Sequence, residues 1–230
     1  MSIAHFLIFS ADSSATIDNG GEFPEQDISA LATLPGVERV DRYEPTEFAD
    51  DPYDDDRQGQ VLTIQTVYRD IASLEQGLAS KTFQGLVKAV AGSSVYTLGH
   101  EAMEMLCYPV GDETEPGEWT APISYVVRYH YPANDVKHFI EYYTSHHPQI
   151  ETRFPGITNI MCYLPIKWQD PTDLPCLGYM LGNEVVFESV EDLSIALKSP
   201  VMIDMGADFE QFPTFHGHNT HYPMRRMRVD

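Results

Sequence analysis

Phe139, Tyr142, Tyr143 and His146 fall at i, i+3, i+4 and i+7. That spacing lines side chains along one face of a helix. A stack of rings ending in an imidazole can move protons. The imidazole titrates near neutrality and serves as acid or base without a metal. The phenols can hydrogen-bond a substrate oxygen or fix the tautomer of the ring. The structural alternative is a helix-end histidine bonded to the last carbonyls of its own helix. His147 is the neighbour on a different face. A second cluster, Phe215-His216-Gly217-His218-Asn219-Thr220-His221-Tyr222, reads as a strand. Alternation then puts His216, His218, Thr220 and Tyr222 on one face. A His-x-His can present two nitrogens to a metal, with His146 or Glu184 as a third ligand. The pair reads instead as the polar wall of a pocket without metal, His216 being a second acid or base opposite His146. In 123–131, Arg128 shares a face with Ser124, Val126 and His130. A buried arginine needs a partner, either a substrate carboxylate or phenolate or an acidic side chain. The expected catalytic set is therefore His146, Tyr143 and His216. Arg128, Tyr129, His218, Tyr222 and Tyr163 are expected to contact substrate, with no metal and no cofactor.

Other chemistries lack their residues. There is no GxGxxG opening a helix, no GxxxxGK[ST], no GxSxG and no HExxH, so nucleotide-dependent and serine-hydrolase readings have no support. The chain carries 14 Lys+Arg against 35 Asp+Glu, a formal charge of −21. Such a chain repels phosphate backbones and anionic lipid, so neither nucleic acid nor membrane is an expected partner. No apolar run approaches the ~20 residues of a membrane span. Cys107, Cys162 and Cys176 are far apart and odd in number, which argues against disulfides or structural zinc. The N-terminal apolar stretch is short and lacks a basic flank, the first basic residue being Arg39. A cytoplasmic protein is expected.

The elements that would position these residues come in two similar sets. LPGVERVDRYEP at 34–45 lies on FPGITNIMCYLP at 154–165, an offset of 120. The same offset lays 3–10 on 123–130, and an offset of 119 lays 67–80 on 186–199. The Pro-Gly, the Tyr-x-Pro, the 3–10 strand and the 67–80 segment are four registers agreeing within one residue, which indicates a duplication, with copies at 1–112 and 119–230. Each copy reads strand, helix, strand, strand, helix, strand. In the second the strands are expected at 123–131, 158–164, 177–187 and 215–229, and the helices at 135–147 and 190–198, capped by Asn134 and Ser189. This order makes an antiparallel four-stranded sheet with helices on one face. The uncovered faces, still apolar at Val126, Met161 and Met180, would close on each other as a barrel. The first copy is eroded in its first helix (11–22) and carries an acidic loop at 44–60. Residues 1–120 hold 6 basic and 22 acidic side chains, residues 121–230 hold 8 and 13. Seven of the nine histidines lie after residue 120, so the chemistry is expected there.

The segment 139–156 resembles the EthD-like family of dimeric α+β barrel proteins. The match is Phe139, Tyr142 and Tyr143, then His146-His147-Pro148, then Pro155-Gly156. It covers roughly 123–229, with the first half as a degenerate copy. The resemblance implies a tandem ferredoxin-like α+β fold pairing sheet to sheet. It also implies relatives that act as cofactor-free isomerases, dehydratases, decarboxylases or cyclases on aromatic or lactone-like substrates. Family members usually pair as two identical chains, whereas this chain carries both copies; a homodimer of the whole is a further expectation. The functional expectation is a cofactor-independent His/Tyr acid/base enzyme, a lyase, dehydratase or isomerase, acting on an aromatic small molecule. A haem- or metal-binding barrel and a non-catalytic binding module are the alternatives.

Overall fold

Strand-forming runs rich in Val, Ile, Tyr and Phe alternate with short amphipathic helices through the whole chain. The computed structural model describes residues 2–11, 25–48, 52–53, 60–91 and 96–229. The first half contains β1 (Ser2–Ala11), α1 (Glu25–Leu31), β2 (Val37–Pro45), β3 (Gln60–Tyr68), α2 (Ile71–Leu78), α3 (Lys81–Ala91) and β4 (Tyr96–Tyr108). The second contains β5 (Ile123–His130), α4 (Val136–Glu151), β6 (Ile157–Pro165), β7 (Tyr179–Phe187), α5 (Val190–Leu197), α6 (Val201–Phe209) and β8 (Asn219–Val229). The fold is mixed α+β, with eight antiparallel strands closed in the order β1-β3-β2-β8-β5-β7-β6-β4. Closure removes every sheet edge, and the chain supplies both seams, β2–β8 and β4–β6, itself.

The two halves share details finer than element order. Ile3 pairs with Tyr68 in β1–β3, and Ile123 with Phe187 in β5–β7. Bulges interrupt the ladders after Phe9 and after Tyr129, and again between Val37 and Arg39 and between Ile157 and Asn159. Gly36 and Gly156 both have φ of +77°, which favours glycine in the turn leading into β2 and β6. Asp70 and Ser189 cap α2 and α5 by accepting from Ser73 N and Asp192 N.

Among the described residues three helices cover each half, one more than expected. The missed element of the second half is α6. Pro200 precedes it and Gly206 interrupts it, and both weaken a helical pattern. Asp135, not Asn134, caps α4. Helix α4 also runs past its expected end at 147, through Pro148, to Glu151. Proline removes the N–H that would bond the Thr144 carbonyl. Here the Tyr108 hydroxyl donates to that carbonyl over 3.0 Å, which satisfies the freed acceptor. The last strand starts at Asn219 instead of 215. The eroded segment 11–22 and the acidic residues 50, 51 and 54–56 lie almost wholly outside the described residues.

Alternation divides the side chains between two environments. Odd positions of β5 (Ile123, Tyr125, Val127, Tyr129) face the helices, in a core shared with Phe139, Tyr143 and Phe154. Even positions (Ser124, Val126, Arg128) face the barrel interior. That interior mixes apolar residues such as Phe6, Met103, Met161 and Met224 with buried polar ones. The corresponding layer of the first half packs Ile3, Leu7 and Phe9 against α1–α3.

Candidate active site

A cavity of about 320 Å³ lies between the second-half sheet and helices α4 and α6. Strands β5, β7 and β8 supply one wall, with Tyr125, Tyr129, Asn183, Asn219 and His221 among its polar members. Helix α4 supplies Tyr143, His147 and Glu151, at i, i+4 and i+8 on one face. The cover is α6 with Met202, Met205, Gly206 and Phe209. Most of the lining is buried; Tyr53, Gly206 and Phe209 are its exposed members and mark the mouth.

Asp208 of α6 and His147 and Glu151 of α4 form a chain. His147 Nδ1 lies 2.7 Å from Asp208 Oδ2, and its Nε2 lies 3.9 Å from Glu151 Oε1. Asn183 Nδ2 donates to Glu151 Oε2 over 3.1 Å. The Tyr142 hydroxyl donates to the other Asp208 oxygen, Oδ1, over 3.1 Å. With Nδ1–H given to Asp208, the second nitrogen of His147 is turned toward Glu151 and the cavity. Burial raises the Asp208 carboxyl, but hydrogen bonds from His147 and Tyr142 outweigh it and hold the group below the usual aspartate range. Glu151 is 2% exposed, and burial raises its carboxyl above the usual glutamate range, against the opposing pull of His147 and Asn183. Burial likewise raises the phenols of Tyr129 and Tyr143, so both stay protonated and able to donate.

The expected site residues are dispersed. Tyr143 and Tyr129 line the cavity, with ring centres 5.3 Å apart. His146 does not line it: it is exposed, stacked on Tyr142, with Nδ1 2.9 Å from the Tyr142 carbonyl of its own helix. The rings of Tyr142 and His146 share the outer face, and the inward imidazole one residue on is His147. His216 is exposed and bonds Asn134 Oδ1 at 3.0 Å. His218, also exposed, stacks on His130 with 4.1 Å between ring centres. Neither is on a strand, because β8 begins later, and the inward histidine is His221. Its ring stacks on Tyr53 with centres 3.8 Å apart. Successive strand residues face opposite sides, so Asn219 and His221 reach the cavity, whereas Thr220 and Tyr222 lie on the other face of the sheet.

Arg128 and Tyr163 belong to the barrel interior, on the other side of the sheet from the cavity. The Arg128 guanidinium carbon lies 4.6 Å from the Phe6 ring centre, 5.3 Å from Tyr163 and 5.8 Å from Tyr179. Rings thus take the place of the carboxylate or substrate partner expected for it. The Tyr163 hydroxyl donates to Glu184 Oε2 over 2.7 Å, and Gln65 Nε2 donates to Tyr163. Tyr222 packs beside Tyr43, Val126 and Met224 on that same inner side. Among the described residues no three His, Cys, Asp or Glu side chains converge as a metal's ligand set would.

Glu151, Asn183, Asn219 and Asp208 were not foreseen, yet the repeat carried a signal for the first three. Tyr129 pairs with Asn219 where Phe9 pairs with Leu98, and Val127 pairs with Asn183 where Leu7 pairs with Ile64. The Phe154 N–H bonds the Glu151 carbonyl as the Leu34 N–H bonds that of Leu31. Tyr129, Asn219, Asn183 and Glu151 thus have apolar counterparts in the first half, whereas His221 stands on the register of His100.

The fold is that of the dimeric α+β barrel proteins, carried here in tandem in one chain. Solved structures with this fold include an anthrone oxidase-like protein (TM-score 0.61, 13% identity, 99% of this chain and 93% of that one). A protein provisionally named a monooxygenase from Fusobacterium nucleatum is also similar (TM-score 0.58, 9% identity, 100% and 93%). So is a protein provisionally named a chlorite dismutase (TM-score 0.52, 8% identity, 97% and 95%). No family model matches the sequence, and no curated protein matches it, so nothing singles out the EthD-like branch.

Proposed function

We propose that the chain is an enzyme that removes a proton from a phenolic or enolisable aromatic molecule held in the second-half cavity, without a cofactor. The observation that carries this reading is the set of polar residues, Tyr129, Asn219, Asn183 and Glu151, standing where the first half has Phe9, Leu98, Ile64 and Leu31. Burying polar groups costs stability relative to the apolar residues of the first half, a cost that packing alone gives no reason to bear. The reading also takes 1–112 and 119–230 as two copies, one kept as an apolar core and the other opened into a site.

In this mechanism His147 Nε2 accepts the substrate proton, and Asp208, on the opposite nitrogen, stabilises the imidazolium that forms. Negative charge developing on the substrate oxygen meets the Tyr129 and Tyr143 hydroxyls, which remain protonated and are fixed in a largely water-free wall. The proton returns from His147 to another atom of the substrate, giving isomerisation, or to a leaving group, giving elimination. Haem does not suit this lining. No Lys or Arg among the described lining residues can meet its two carboxylates, and Glu151 stands beside His147 Nε2, a nitrogen that would otherwise face an iron.

A second reading follows from the likeness to the anthrone oxidase-like structure. A deprotonated phenol or carbanion is also the species that dioxygen attacks, so an oxidase would share the first step. Incubating the protein with hydroxynaphthalenes, anthrones and phenolic ketones in deuterated water tests both. Solvent deuterium appearing at a substrate carbon, lost in His147→Ala, supports the proton transfer. Oxygen uptake at an electrode selects the oxidase. No exchange and no turnover with any member of the panel would defeat the proposal.

A further inference from the structure

Gly206 sits in the middle of α6, where glycine costs helix stability relative to alanine. Nothing among the described residues asks for it. Its backbone is not in the left-handed region, and a Cβ built there meets no atom within 4 Å. It lines the cavity and is one of the three exposed residues at its mouth. The neighbouring lining positions repeat the first half. Met202, Met205 and Phe209 match Phe83, Leu86 and Val90 of α3 in spacing, and all three α3 residues are buried in the first core. In that alignment Gly206 falls on Val87, which packs against the same core. Where the first half puts a side chain, the second leaves a gap that opens from cavity to solvent.

We infer that Gly206 is a specificity-determining residue: it is the portal through which the non-reacting end of an elongated aromatic substrate leaves the cavity. The inference rests on the proposed function, since it takes the cavity to be the substrate site. The reacting end lies at the floor with His147 and Glu151, and the remainder passes between Gly206 and Phe209 on one side and Tyr53 on the other. Substrates longer than the cavity are then accepted, and the helix tolerates its glycine because a side chain there would stop the tail.

The test measures binding of two fluorescent probes, 2-naphthol and 6-hexyloxy-2-naphthol, to wild type, Gly206→Ala and Gly206→Leu. The hexyloxy chain lies at the end of the ring system away from the hydroxyl. Gly206→Leu should weaken the tailed probe by ~10-fold or more and change 2-naphthol by less than ~2-fold, since a pocket contact discriminates by the groups it excludes. Gly206→Ala should show a smaller effect in the same direction with a raised Tm, which confirms folding. Equal binding of both probes by Gly206→Leu overturns the portal, as does equal loss of both in a folded variant. Failure of wild type to bind either probe removes the cavity as the substrate site, and the portal with it.

Discussion

Glu151 occupies in the second half the place that Leu31 occupies in the first, and the two are equally hidden, at 2% and 1% exposure. Each ends its helix, and each precedes by five residues the glycine that turns the chain into the next strand. Asn183, which bonds Glu151, stands in turn on the register of Ile64. The fold therefore accepts an apolar pair at this site and carries a polar one. The double variant Glu151→Leu/Asn183→Ile restores the first-half pair. It should stabilise the protein by ~1–3 kcal/mol, the mutational cost of burying a polar group. For a chain of this size that is a Tm rise of ~2–4 °C per kcal/mol. Proton exchange on the probe substrates should be lost at the same time. Calorimetry showing a destabilised double variant would mean that the polar pair serves packing.

The raised Glu151 carboxyl also makes stability depend on pH. Its folded pKa lies above the unfolded one, so between the two values the folded chain holds a proton that the unfolded chain has released. Its contribution is fully present below the unfolded glutamate value, near ~4.3, and falls as pH rises through the folded value. Glu151→Gln removes this fall. Thermal melts of wild type and variant across the acid range should diverge toward higher pH, with Glu151→Gln the more stable.

His147→Ala should lower turnover by ~10²–10⁴, the usual worth of a positioned acid or base. His146→Ala should leave it unchanged, because that ring is exposed and bound to its own helix carbonyl. Steady-state kinetics of the two variants, with circular dichroism as the folding control, decides between adjacent histidines. Full turnover in a folded His147→Ala would move the chemistry to His221.

How far the sequence led can be argued from these two histidines. The repeat made the barrel legible, because Pro-Gly turns and strand alternation are local signals that a single chain displays. It also directed attention to the second half. Which of two neighbouring residues faces inward was not legible. On α4 the aromatic face selected by spacing contains both Tyr142, which turns outward to Asp208, and Tyr143, which turns into the cavity. On β8 the alternation separated 219 and 221 from 220 and 222 without saying which face meets the cavity, and Gly217 gave no warning that 215–218 is a loop. A Cβ at Gly217 would fall 1.8 Å from the His130 carbonyl oxygen, a close approach that only the tertiary structure reveals. Asp208 was hidden for a third reason, since it lies on the helix that its own glycine and the preceding proline disguised.

The first half has its own titration. His5 and His100 are buried, with His5 Nε2 3.2 Å from His100 Nδ1, and His100 Nε2 is 3.1 Å from Asp170 Oδ2. Burial first, and His100 second, push the His5 pKa well below its ordinary value. A lowered histidine contributes stability above its unfolded pKa, near ~6.5, and loses it as pH falls toward the folded value. The protein should therefore lose Tm as pH falls below that point. His5→Gln can still hydrogen-bond His100 but does not titrate, and its melting curve should fall less steeply with acid. Parallel curves for the two proteins would place the acid sensitivity elsewhere.

Asp208 is the one buried residue of α6, and it joins that helix to α4 through His147 and Tyr142. The exposed Arg153–Asp204 pair, 3.0 Å apart, is a weaker second tie, because water screens it. Asp208 thus has two separable duties, orienting the imidazole and closing the cover. Asp208→Asn keeps a hydrogen-bonding group of the same shape and removes the charge, so it should lower turnover by ~10- to 100-fold, through loss of support for the imidazolium, with KM little changed. Asp208→Ala removes both ties. It should lower turnover at least as much, raise KM, and speed backbone amide exchange across 201–209 while the sheet stays protected. The native carboxyl lies below the usual aspartate range, so its share of stability is present above ~3.9 and is lost as pH falls through the folded value. Wild-type α6 should accordingly exchange faster in strong acid, after exchange rates are corrected for pH, and Asp208→Asn should not show that step. An Asp208→Ala protein with native exchange across α6 would show that packing of Met202 and Met205 alone holds the cover, and would leave Asp208 only its role at His147.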